Sequence, residues 1–270
     1  MIGVFDSGIG GLTVIRKMFE ILSQYQLLYF GDTARTPYGG RGEAVIKKYA
    51  FEVAEFLVKR GAKIIVIACN TVSAVAAEDL KNHFKIPVFE VVRPAIEKAI
   101  SLTRNKRIGV IGTRATINSG IYEKMIKEVG LKIFAKGRLS SAWKVFSQAA
   151  PLLVSLIEEG WLKKMETKKI IKSYLHPLRM AQVDTLIMAC THYPLLREQI
   201  QLKIGRQVKL VDPGQEVILE LKEFLEKNPE IEKTLTKMGF GCQFFVSDLT
   251  PKCQEIVNRW LGRDIKLQIV

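Results

Sequence analysis

The stretch IIVIACNT, residues 64–71, and its echo DTLIMACTH, residues 184–192, decide the architecture of this chain. Each is a short apolar run, rich in β-branched residues in the first case, and each reads as a strand. Each ends in Ala-Cys followed by small polar residues, where the chain turns. A second pair of echoes stands upstream: IGVFDSGIGG at residues 2–11 and IGVIGTRATI at residues 108–117. The upstream echo is offset by 106 residues and the cysteine echo by 121, a drift of 15 that places an insertion between Leu131 and Trp161. Two βα units recurring in the same order indicate two similar domains.

Working outward, the same alternation runs the length of the chain. Apolar runs at 2–5, 27–30, 64–68, 88–92, 107–111, 185–189, 210–211 and 244–246 read as strands. Val14, Met18, Ile21 and Leu22 make one helical stripe. Val45, Tyr49, Val53, Phe56 and Leu57 make another that closes near Gly61. Thr250 before Pro251 reads as an N-cap with proline in the first turn. Such alternation predicts an α/β fold of two similar open parallel-sheet domains, helices on both faces, related by a pseudo-twofold axis. Crossings are expected near residues 92–95 and 209–213. The first domain then comprises residues 1–92 plus 210–270, and the second residues 93–209. Ligands bind beyond the C-terminal ends of strands in open parallel sheets. Loops 6–11, 69–73, 112–116 and 190–193 leave strands there, and the active site is expected in a cleft that they share.

With 270 residues, 48% of them hydrophobic and 25% charged, the chain has the apolar content for two cores and a soluble-globular charge density. No apolar run reaches the roughly 20 residues of a membrane span. The opening MIGVFDSG lacks the basic start and apolar stretch of a secretory signal, so a cytoplasmic location is expected. The net charge of +14 comes from scattered residues such as Lys47, Lys48, Lys81, Lys124, Lys127, Lys163, Lys164, Lys168 and Lys169. Without a continuous block they read as a solvated surface. No membrane partner and no specific nucleic-acid partner are expected.

The cysteines are Cys69, Cys190, Cys242 and Cys253, with no CxxC and no zinc-site spacing. Cytosolic thiols stay reduced, so each is a small core residue or a reactive group. Cys69 precedes Asn70-Thr71, and Cys190 precedes Thr191-His192. A cysteine at a strand-to-helix turn lies near backbone N–H groups that stabilise a thiolate. Two thiols in matching settings leave two chemistries open. One is a disulfide. The other is racemisation, which needs a base on one face of a carbon and an acid on the other. Cysteine starts about 1.5 units above neutral, within reach of tuning.

Developing carboxylate charge needs donors, and Ser7, Asn70, Thr71, Thr113, Thr116 and Thr191 stand on the four loops. No lysine stands out as a pyridoxal-binding residue and no phosphate cradle accompanies one, so no cofactor is expected. Asp6 is either a proton-managing group or a turn cap before Ser7-Gly8. His192, two residues after Cys190, is a functional candidate, whereas His83 and His176 fall on helical surfaces. Cys190 with His192 is half of a metal site that nothing completes, so no metal is expected. The cluster Ser7 to Gly11 misses the dinucleotide fingerprint at Thr13 and reads as an anion-binding turn for a carboxylate. Residues 36–40, TPYGG, read as a second rigid loop after a strand.

FDSGIGGLTV (5–14), FGDTARTPYG (30–39), ACNTVSA (68–74), GVIGTRAT (109–116) and ACTHYPLL (189–196) together resemble the glutamate racemase family, within the wider aspartate/glutamate racemase group, over essentially the whole chain. The resemblance implies cofactor-independent interconversion of L- and D-glutamate. Cys69 would take the α-proton from D-glutamate with Asp6 assisting. Cys190 would take it from L-glutamate with His192 and Glu158 assisting, Glu159 being the neighbouring alternative. The resemblance further implies substrate contacts from Asp6, Ser7, Tyr38, Gly39, Asn70, Thr71, Thr113, Thr116, Thr191 and His192. Asp32 matches another acid of the family pattern. A homodimer and supply of D-glutamate to peptidoglycan synthesis are implied too. Aspartate or hydantoin racemisation and maleate isomerisation are the neighbouring chemistries. The chain departs from the pattern at Ala150, where members often carry cysteine, and at Arg93, where an acidic or apolar residue is usual.

Overall fold

A computed structural model describes residues 1–134, 143–235, 237 and 241–270. The chain divides into two compact units, Met1–Val91 with Gly214–Val270, and Val92–Pro213. The first opens with β1 (Ile2–Asp6), α1 (Leu12–Ile21), β2 (Leu27–Gly31), α2 (Glu43–Lys59), β3 (Ile64–Ile67), α3 (Asn70–His83) and β4 (Val88–Glu90). The second holds α4 (Val92–Leu102), β5 (Arg107–Gly112), α5 (Arg114–Asn118), α6 (Ile121–Phe134), β6 (Lys144–Ala149), α7 (Leu152–Glu158), α8 (Met165–Met180), β7 (Thr185–Ala189), α9 (Arg197–Ile204) and β8 (Lys209–Val211). From the boundary helix α10 (Pro213–Lys227), the chain continues through α11 (Pro229–Glu232), β9 (Gln243–Val246), α12 (Pro251–Leu261) and β10 (Leu267–Ile269) of the first unit.

The first sheet runs β10-β9-β2-β1-β3-β4 and the second β6-β5-β7-β8, with parallel ladders throughout. The run β2-β1-β3-β4 thus repeats the order β6-β5-β7-β8. Registers sharpen the match. Ile2 of β1 pairs with Ile64 of β3, and Ile108 of β5 pairs with Thr185 of β7. Cys69 comes five residues after Ile64 and Cys190 five after Thr185, so both thiols occupy one ladder position. The sequence echoes therefore fall on equivalent strands. The ladders also divide the 15-residue drift. Ile2 pairs with Leu27, 25 positions on, whereas Ile108 pairs with Val145, 37 positions on. Twelve of the extra residues thus precede Val145, in a stretch that includes residues 135–142, outside the described residues.

Strands β1, β3 and β7 are buried along their whole length, as strands covered on both faces must be. Leu12, Ile15 and Met18 of α1 recur at helical spacing and are fully buried, each contributing roughly 1.5–3 kcal/mol by removal from water. In the second unit Val92, Ile96, Ala99, Tyr122 and Ile126 of α4 and α6 pack with Ile108, Val110 and Ile187.

Several sequence expectations are corrected. The strand expected at 88–92 stops at Glu90, because Pro94 falls in the first turn of α4, where its missing N–H is no loss. VVRP therefore opens a helix. The buried stripe of α2 is Ile46, Ala50, Val53, Ala54 and Leu57, and Val45 is exposed. The two alanines let the helix approach the sheet, while Tyr49 and Phe56 pack on its flanks against Tyr38 and against Phe30 and Phe245. Strands β6 and β10 carry no continuous apolar run because each is a half-covered sheet edge. Thr250 does cap α12, its side chain accepting from the Cys253 N–H, with Pro251 first in the helix. No described helix is long and apolar enough to cross a membrane.

Candidate active site

In the first unit the site begins where β1 and β3 end. Phe5 pairs with Ile67, and the Ala68 N–H donates to the Phe5 carbonyl, so Asp6 and Cys69 leave the sheet side by side. Cys69 is the N-cap residue of α3, buried, with its thiol 3.3 Å from Ser7 Oγ. Asn70 and Thr71 form the buried first turn of that helix. Asp6 is also buried, and its Oδ2 accepts the Gly8 N–H at 3.1 Å. Burial, followed by the negative charge of Asp6, pushes the Cys69 thiol up to about 12, against opposing hydrogen bonds from Ser7 and Val72. The helix N-terminus alone therefore does not make this thiol a thiolate, contrary to the simplest reading of its position.

Tyr38 and Gly39 lie on a short 3₁₀ turn, Tyr38–Gly40, after a cis Thr36–Pro37 peptide. The Tyr38 hydroxyl donates to Asp32 Oδ2. Asp32, fully buried, also accepts from Arg35 Nε at 2.6 Å and from Ser247 Oγ at 2.6 Å. Its role in the structure is to bind the loop to the body of the unit. The Tyr38 phenol is thus engaged internally, which leaves the backbone of Tyr38 and Gly39 as the groups this turn can present.

In the second unit β5 and β7 pair Gly112 with Ala189, so Thr113 and Cys190 leave the sheet side by side. Thr113 caps α5 by accepting the Thr116 N–H, and the two hydroxyls lie 3.0 Å apart. Cys190, Thr191 and His192 are all buried. The Cys190 sulfur is 3.9 Å from His192 Nδ1, and His192 Nε2 is 2.9 Å from Glu158 Oε1. Glu158 closes α7, whereas Glu159 is its exposed C-cap. Burial opposes charge on the His192 ring, but hydrogen bonds to Cys190 and Glu158 and their negative charge outweigh it and raise the ring to about 10. Both neighbours thus favour the protonated ring. His83 and His176 are exposed on α3 and α8.

Sequence reasoning had no signal for two residues. Tyr29, inside an apolar strand, donates its hydroxyl to the Gly8 carbonyl at 2.8 Å. Ser247, just past β9, reaches Asp32 from a segment more than 200 positions away. Among the described residues no cluster of three or more His, Cys, Asp or Glu side chains is arranged to hold a metal ion.

A family model described as Asp/Glu/Hydantoin racemase matches residues 2–221. The chain belongs to that family. Membership makes it an isomerase. The glutamate racemase of Geobacter metallireducens is 42% identical over 261 residues, covering 97% of this chain and 92% of that protein. A glutamate racemase isoform from Bacillus anthracis superposes with a TM-score of 0.89 at 34% identity, covering 100% of this chain and 97% of its own. The Francisella tularensis glutamate racemase, solved in complex with D-glutamate, gives a TM-score of 0.88 at 35% identity, with 100% and 96% covered.

As a member of this racemase family, the chain carries its two departures without disturbing the side chains above. Ala150 is buried and serves through its backbone: its N–H donates to Gly112 and its carbonyl accepts the Tyr193 hydroxyl at 2.9 Å. Arg93 is exposed on α4.

Proposed function

We propose that the chain interconverts L- and D-glutamate without a cofactor, using Cys69 and Cys190 as opposed acid and base. The reading takes the two thiols to flank the α-carbon of one bound glutamate. It is supported above all by the two cysteines standing at one ladder position of two sheets of the same strand order. The glutamate racemases named above, one solved with D-glutamate, support the substrate.

From D-glutamate, the Cys69 thiolate takes the α-proton and the Cys190 thiol returns one to the opposite face; from L-glutamate the roles reverse. The environments suit unequal tasks. The Asp6 charge is one cause of the raised Cys69 pKa, so a substrate ammonium that neutralises Asp6 lowers it again. Cys69 then ionises more readily with substrate bound than without it. On the other side the His192 imidazolium, held by Glu158, stabilises the Cys190 thiolate or supplies its proton. Donors from Ser7, Asn70, Thr71, Thr113, Thr116, Thr191 and the Tyr38–Gly39 backbone would take the substrate carboxylates and the charge that develops on them. In this reading the enzyme acts in the cytoplasm as a homodimer and supplies D-glutamate for peptidoglycan synthesis.

The test is a cofactor-free assay by circular dichroism with either enantiomer, aspartate as the competing substrate, and α-proton exchange followed in deuterated water. Cys69→Ala and Cys190→Ala should each lower kcat by roughly 10²–10⁴ or more. Full turnover in either variant would rule out the two-thiol mechanism.

A further inference from the structure

Tyr29 takes no part in the proton transfers above, yet its buried phenol stands directly behind them. Its hydroxyl donates to the Gly8 carbonyl at 2.8 Å, and the N–H of that same glycine donates to Asp6 Oδ2 at 3.1 Å. Gly8 is therefore gripped at both ends, by the Asp6 carboxylate and by the Tyr29 phenol. The surroundings leave little slack. A Cβ on Gly11 would stand 2.6 Å from Asp6 Cβ and 3.1 Å from the Tyr29 hydroxyl, and a Cβ on Gly31 would stand 2.4 Å from the Gly8 carbonyl oxygen. Two glycines thus clear the space in which the turn closes onto the phenol.

The phenol itself is anchored. Tyr29 is fully buried in β2, paired with Val4 of β1 on one side and Phe244 of β9 on the other. Its ring packs against Phe244 at 5.9 Å. Burial, then the charges of Asp6, Cys253 and Cys69, hold its proton in place well past the ordinary phenol range, so it remains a donor across the working pH.

We propose that Tyr29 is a positioning residue for Asp6: through Gly8 it fixes the orientation of the carboxylate and thereby tunes the Cys69 half of the racemisation, leaving the Cys190 half unchanged. The proposal rests on the two-base reading. A hydrogen bond between neutral groups in a buried site is worth a few-fold in rate, and its loss here acts on one of two proton transfers.

The experiment measures primary deuterium isotope effects on kcat/KM in both directions with α-deuterated D- and L-glutamate. Wild-type protein is measured first; absence of glutamate racemisation there would refute the proposed function itself. In Tyr29→Phe, kcat/KM should fall roughly three- to tenfold, equally in both directions because the enantiomers are equal in energy. The isotope effects should part: larger from D-glutamate, where Cys69 removes the labelled proton, and smaller from L-glutamate. With 4-aminophenylalanine at position 29, a donor is kept and the two effects should return toward wild type. Equal or unchanged isotope effects in Tyr29→Phe, beside an active wild type, overturn the proposal and leave the two-base reading standing. If Tyr29→Phe does not fold, the 4-aminophenylalanine enzyme decides: wild-type-like effects support the donor role, and a full asymmetry despite the retained donor overturns it.

Discussion

Cys69 and His192 both bind their protons more tightly than the free side chains do. The Cys69 thiol keeps its proton because burial and the Asp6 carboxylate both disfavour a second negative charge. His192 keeps its proton because Cys190 and Glu158 outweigh the burial of the ring. One consequence separates the two roles of Asp6. Asp6→Asn removes a charge that raises the thiol pKa, so Cys69 should be alkylated faster in the ligand-free protein at pH 8 while racemisation falls. Iodoacetamide labelling followed by mass spectrometry at Cys69, in a Cys190→Ala background, measures it. Slower labelling would show that Asp6 does not act on this thiol by charge.

At the level of elements, the loop from β2 to the Tyr38 turn is held by the C-terminal return of the chain. Ser247 donates to Asp32, the Ala34 N–H donates to Ser247 Oγ at 2.9 Å, and Thr33 and Asp248 exchange hydrogen bonds of 2.5 and 2.8 Å. Ser247→Ala deletes a donor to a buried carboxylate and should cost about 1–2 kcal/mol in urea unfolding. KM for glutamate should rise with little change in kcat, because the loop carries binding groups and no acid–base group. An unaltered KM would mean that Asp32 holds the turn without Ser247. Gly31 makes the second prediction at this scale. A methyl group there has no room beside the Gly8 carbonyl oxygen, so Gly31→Ala should destabilise the fold by about 1–3 kcal/mol and impair the Asp6 turn together. Equilibrium denaturation and activity on one preparation would check both effects.

Over the whole molecule the buried ionisable groups predict weakening at alkaline pH. A raised folded pKa means the native state binds the proton more tightly, so its stabilisation is complete below the unfolded pKa and is lost as pH climbs to the folded one. For His192 that loss runs from 6.5 to about 10, and for Cys69 from 9.0 to about 12. The wild-type unfolding free energy should therefore fall faster than that of His192→Asn between pH 6.5 and 10; parallel curves would deny His192 its charge in the native state. How much of this was open to reading from the chain follows from which interactions are local. Parallel strands covered on both faces must be apolar along their length, so Ile64 to Ile67 and Thr185 to Ala189 declared themselves, with the α/β class and the strand ends bearing Cys69 and Cys190. Edge strands β6 and β10, half covered, left no such mark. The order of the strands and the coincidence of ladder positions depend on pairing between distant segments, and only the folded sheets show them. The same holds for charge and hydrogen bonding. The sequence by itself determined which residue types stand at the strand ends. The family resemblance pointed to a glutamate beside His192, and the fold brings Glu158 to it; tertiary structure alone decided that Ser247 meets Asp32 and that Tyr29 stands behind Asp6, because those contacts join residues that burial, not adjacency, brings together.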